Sequence, residues 1–249
     1  MIALAVLTVA AASDLSHLEP QLRDLAQRGG VAVRFVFGSS GQLAQQIRQG
    51  APYDVFLSAN ERYARDLEKE GVLSPGTLKE YARGRVALWS PAGKLKSLDE
   101  LAAPAVRHVA IANPVHAPYG AAAKQILERR NLWAALSGRI VFAENVRQAA
   151  QFAESGNADA GLVAWALVKE RGAVPIDASL HDPIVQVGGV VAKSAIAADG
   201  ARFLAILTGD SGKALLAQAG YDAAIAAQPA AAEPAPTKPR VKKRTKKRK

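Results

Sequence analysis

"VRFVFGSSGQLAQQIRQGAPYDVFLSA", residues Val33–Ala59, passes from strand to turn to helix to strand. Apolar residues alternate at Val33, Phe35 and Phe37, the period of a strand. The alternation stops at Gly38-Ser39-Ser40-Gly41 and becomes helical spacing at Leu43 and Ile47, which predicts a helix over 42–49 ended by Gly50. "DVFLSA" follows as a short strand. A strand that turns through glycine and serine into a helix leaves unpaired N–H groups at the helix start, with hydroxyls beside them. Such a turn either caps its own helix or cradles an anion.

The same alternation extends in both directions. Upstream, "LAVLTVAAA" reads as a buried strand, followed from Ser13 by a helix with Leu15, Leu18, Leu22 and Leu25 on one face, ending at Gly29-Gly30. Downstream, a helix is expected from about Glu61 to Glu70, with Gly71 as its stop. This βαβαβ order implies a parallel sheet covered by helices. A second unit begins near "GRVALWSP" and runs through strand "HVAIANP", helix "YGAAAKQILERRN", strand "RIVFAE", helix "VRQAAQFAESG" and strand "ADAGLVAWAL". "PIVQVGGVVAK" then reads as a strand returning toward the first unit, with two closing helices after it.

Composition narrows the function. With 249 residues, 49% of them hydrophobic, the chain can bury the cores of two lobes. It has no cysteine, so neither disulfides nor thiolate-bound metal can hold it. His17, His108, His116 and His181 have no spacing that would build a metal site. The net charge of +10 belongs to the terminal run "KPRVKKRTKKRK", whose nine basic residues leave 23 basic against 22 acidic in the remainder. Nucleic-acid binding therefore rests on that run alone, and weak attachment to an anionic surface is the other use for it. The first basic residue is Arg23, so the apolar start lacks the positive flank of a signal peptide, and it is too short to cross a bilayer. The Gly-Ser-Ser-Gly turn lacks the phosphate-binding loop pattern with lysine, and no triad surrounds Ser40, which argues against an enzyme.

The 38–41 turn has three counterparts. Ser13 follows a strand and opens a helix; "NPVHAPYG" places Tyr119 between strand and helix; "AENVRQAA" places Asn145 and Val146 likewise. Ligands of open α/β sheets collect at the carboxyl ends of strands, where helix starts converge. Two of these turns fall in each unit.

"TVAAAS", "FGSSGQLAQQIRQGAPYDVFLSA", "LWSP", "IANPVHAPYGAAAKQIL" and "ENVRQAA", in that order, resemble the periplasmic molybdate-binding components of ABC importers over about residues 1–225. The resemblance implies an α/β chain with the type II periplasmic-binding-protein fold, two α/β lobes joined by crossover strands with a ligand cleft between them. Lobe I is then expected at 1–83 and 195–228, lobe II at 84–194, and a disordered Pro/Ala linker with a basic tail at 229–249. It implies a molybdate or tungstate ligand, or sulfate as the alternative oxyanion, no cofactor, a membrane permease as partner, a monomeric state and a periplasmic location.

By motif position Ser13 and Ser40 would supply hydroxyl and backbone donors, and Tyr119 and Val146 backbone N–H groups, with no side chain ligating metal directly. The Tyr119 phenol would then be dispensable. Two positions depart from the family pattern. Ala164 stands where many members carry a tyrosine that reaches the anion, and Asp14 puts a carboxylate beside a dianion, repulsive unless it points away.

Overall fold

The computed structural model describes residues 5–224, so the expected linker and basic tail lie outside the described residues. Along the chain come β1 (Val6–Ala12), a 3-10 turn (Ser13–Leu18), α1 (Glu19–Arg28), β2 (Ala32–Gly38), α2 (Ser40–Arg48), β3 (Val55–Ser58), α3 (Glu61–Lys69) and β4 (Lys79–Gly84). Then follow β5 (Val86–Trp89), β6 (Val109–Ala112), α4 (Pro118–Arg129), α5 (Trp133–Leu136), β7 (Ile140–Ala143), α6 (Val146–Glu154), β8 (Ala160–Ala164), α7 (Trp165–Val168) and β9 (Val174–Pro175). The last are β10 (Ile184–Val190), α8 (Ala197–Thr208) and α9 (Asp210–Ala219).

The strands form two five-stranded sheets, ordered β2-β1-β3-β10-β4 and β7-β6-β8-β5-β9. β1 is parallel to both β2 and β3, and β6 to both β7 and β8, as the βα alternation requires. Each sheet also takes antiparallel strands, β10 in the first and β5 in the second. The chain crosses between sheets at Arg85, where β4 passes into β5, and again between β9 and β10.

Three expectations shift. The division at 195 gives 184–194 to lobe II, whereas β10 lies in the first sheet, between β3 and β4. The return crossing therefore comes ahead of Ile184, where a fully buried strand can pair on both sides. The helix expected from Ser13 is broken into a 3-10 turn and α1, with Pro20 in the first turn of α1. Proline has no N–H for an i→i−4 bond and is tolerated only at such a start. Conversely, α2 begins two residues ahead of 42, so that Ser40 is its first residue.

Each lobe has its own core. Leu7, Val9, Leu22, Phe203 and Leu207 pack on one face of the first sheet, Phe56, Leu67 and Leu73 on the other, while Leu88, Ile111, Ile126 and Leu162 fill the second lobe. The boundary between the two lobes is the cleft.

Candidate functional site

Register brings the four turns together. In the first sheet Ala12 lies beside Gly38, so β1 and β2 end level; in the second Ala112 lies beside Ala143, so β6 and β7 do the same. The two pairs of strand ends face each other across a small cavity lined among others by Ser13, Asp14, Ser40, Tyr119 and Val146. All four residues singled out in the sequence meet there.

Each presents a donor for a local reason. Ser40 is buried at the start of α2, and its Oγ accepts the Ala59 N–H at 2.9 Å, which leaves the hydroxyl hydrogen free to donate. Ser13 is 3% exposed and opens the 3-10 turn after β1. Val146 is the first residue of α6; Asn145 caps that helix by accepting from Gln148 N at 3.1 Å, so the Val146 N–H is not consumed by the cap. Tyr119 is second in α4, where no intrahelical acceptor exists for its N–H. A Cβ on the next residue, Gly120, would lie 2.1 Å from the Ala112 carbonyl oxygen, so only glycine lets α4 start against the end of β6.

No lysine or arginine lines this cavity among the described residues. Stabilisation of an anion falls to helix starts and neutral hydrogen bonds. Arg147 stands outside, with Ser13, Phe37 and Asn145 around a second depression. Among the described residues no group of His, Asp or Glu could hold a metal ion.

The lobes are closed on one another. Gly41 N–H of α2 donates to the His116 carbonyl at 2.9 Å, and Ser39 Oγ pairs with His116 Nδ1 at 2.9 Å. A third link is the Tyr119 phenol, which donates to Asp14 Oδ2 at 3.1 Å. Asp14 is wholly buried, and its Oδ2 also accepts from Tyr221 Oη at 2.9 Å and Gln186 Nε2 at 2.7 Å. Burial pushes the Asp14 carboxyl above its ordinary range, and the three donors offset this in part. Burial likewise raises the phenols of Tyr119, Tyr221 and Tyr81 well above theirs, so they remain donors.

The phenol of Tyr119 is therefore not idle: it joins the lobes through Asp14. Tyr119→Phe keeps the backbone N–H and removes this closed-state link. One such bond contributes about 0.5–1.5 kcal/mol, so affinity for an anion in the cavity should fall about 2- to 13-fold, measured by calorimetric titration. An unchanged affinity would restore the dispensable phenol. Ala164 is buried at the end of β8 and is not among the residues lining the cavity.

Sequence reasoning flagged Asp14 as out of place and missed its partners. Gln186 and Tyr221 stand 172 and 207 residues away, and no local pattern connects them to a turn after β1.

Comparison with known proteins agrees with this geometry. Residues 7–222 match the family model described as bacterial extracellular solute-binding protein. The molybdate-binding protein ModA of Rhodobacter capsulatus is 40% identical over 167 residues, which cover 64% of this chain and 65% of that protein. ModA of Azotobacter vinelandii is 37% identical over 167 residues, 63% of this chain and 66% of that protein. The aligned region thus spans just under two thirds of both relatives. The solved structure of the Azotobacter vinelandii periplasmic molybdate-binding protein superposes with a TM-score of 0.82 at 35% identity, covering 89% of this chain and 100% of that one. The two lobes with mixed sheets accordingly have the type II periplasmic-binding-protein fold.

Proposed function

The chain belongs to the bacterial extracellular solute-binding proteins, and from that premise we propose that it binds molybdate between its lobes and delivers it to the membrane permease of an ABC importer. The observation that carries this reading is the convergence of four strand-to-helix turns, two from each lobe, on one small cavity furnished with neutral donors. Fixed donors of this kind suit a small oxyanion with lone pairs on every side. The relatives are named for molybdate, and tungstate, of the same charge and shape, fits the same donors. Ser13 and Ser40 give hydroxyls, Tyr119 and Val146 backbone N–H groups. Binding and release by lobe closure is a carrier's task, and the protein performs no reaction on its ligand. It works as a monomer in the periplasm, and the basic run Lys238–Lys249, outside the described residues, supplies charge for weak attachment to an anionic surface.

A ligand that binds only the closed form stabilises the fold by about 2.7 kcal/mol at 100 times its dissociation constant and about 4.1 kcal/mol at 1,000 times. Melting temperature should rise with molybdate and with tungstate. An equal rise with sulfate or phosphate at equal concentration would show a general oxyanion binder instead.

A further inference from the structure

Asp14 is the one carboxyl among the described residues lining the cavity, and its two oxygens are treated very differently. Oδ2 accepts the three side-chain donors, Tyr119 Oη, Tyr221 Oη and Gln186 Nε2, whereas Oδ1 is buried with no hydrogen-bond partner among the described residues. An ionised carboxylate here would leave a buried charge with one oxygen unsolvated, facing a bound dianion. A neutral carboxyl removes both problems. With the proton on Oδ1, Oδ2 keeps its three donors and Oδ1 becomes a donor itself.

We infer that Asp14 is a neutral carboxylic acid in the loaded protein and that its Oδ1–H donates a hydrogen bond to the bound oxyanion, making it a specificity residue that couples anion binding to a proton. This rests on the oxyanion reading of the cavity. Among the described residues, the groups packed around the carboxyl supply no cation to hold it ionised. α4 presents Tyr119, β10 presents Gln186, and β4 presents Tyr81, whose phenol donates to Gln186 Oε1 at 2.9 Å. The segment after α9 presents Tyr221. On its own turn His17 Nδ1 lies 2.9 Å from the Asp14 carbonyl, with Lys169 near it, and burial lowers the His17 pKa, which favours the neutral ring.

The sign of the pH effect follows. Burial already raises the Asp14 pKa, and a bound dianion raises it further. Affinity is therefore full below the pKa of the free protein. As pH climbs from that value to the pKa of the loaded protein, affinity falls by up to about tenfold per pH unit. The raised folded-state pKa also means that its contribution to fold stability, present below the unfolded pKa, is lost as pH rises through the folded value.

The test uses the full chain with sodium molybdate between about pH 6 and pH 9, titrated in buffers of differing ionisation enthalpy. Difference infrared spectra of the loaded protein accompany the titrations. The loaded wild type should show a protonated-carboxyl band that Asp14→Asn lacks. Asp14→Ala, which loses a donor to a charged acceptor, should bind about 10- to 150-fold more weakly. Asp14→Asn places an amide N–H where the acid hydrogen stood, so it should recover most of that loss and take up no proton. A loaded wild type with Asp14 ionised, or an Asn variant as weak as the Ala variant, overturns the inference while leaving the oxyanion site in place. The infrared reading on wild type stands even where a variant fails to fold. Absence of molybdate binding by the wild type at every pH overturns both readings.

Discussion

Ser40→Ala should weaken molybdate binding by about 10- to 150-fold, the worth of about 1.5–3 kcal/mol for a hydrogen bond to a charged acceptor. The direction of its hydroxyl is set by what it already accepts. Ser40 Oγ takes the Ala59 N–H, so its single hydrogen is free for the cavity and the group needs no reorientation when the ligand arrives. Alanine has a second cost, because the buried Ala59 N–H loses its acceptor, worth about 1–3 kcal/mol of stability. Calorimetric titration and melting of the free protein separate the two losses. Reduced stability with intact affinity would confine Ser40 to supporting the turn at Ala59.

Gly41→Ala should lower affinity through closure, without touching the ligand. A Cβ at this position would lie 2.7 Å from the His116 carbonyl oxygen and 3.0 Å from His116 Cα, both backbone atoms of the opposite lobe. The Tyr63 hydroxyl, at 2.9 Å, ends a side chain that can move aside; the backbone cannot. Overpacking of this kind costs about 1–3 kcal/mol, here charged to the closed state, so affinity should drop about 5- to 150-fold. The free, open protein should be as stable as wild type or up to about 1 kcal/mol more stable, since alanine favours the helix over glycine. Opposite signs in melting and in titration are the signature. A parallel fall in both would mean that Gly41 serves the fold of α2 and not the cleft.

What could be read from sequence was local. A strand that ends and a helix that starts within a few residues carry their own signals: alternation before, helical spacing after, glycine or serine or asparagine between. The four turns were found that way; the family resemblance singled out Ser13, Ser40, Tyr119 and Val146 within them, and the structure sets all four around one cavity. The place of β10 was only half legible. Its apolar run marks it as a strand, but nothing in it says that β3 and β4 are its neighbours, and so the lobe boundary fell too late. Gly41 read only as the end of the strand-to-helix turn, whereas its constraint is a carbonyl 75 positions further on, at His116. The Asp14 cluster was illegible for the same reason: its donors come from α4, β10 and the end of the chain.

The position of β10 also orders assembly. Strands β5 to β9 are contiguous, so the second sheet can complete itself as soon as residue 175 is present. The first sheet cannot, because β3 and β4 have no strand between them until 184–190 arrive, and the bridge of Arg83 to Asp222 closes later still. Such distant pairings are slow to form, since loop closure must come before contact. Until then the facing edges of β3 and β4 stay unpaired, open to any extended chain that could pair with them. The lobe that begins the chain is thus the last to be finished, and the interval before it closes is when its unpaired edges are most exposed to mispairing.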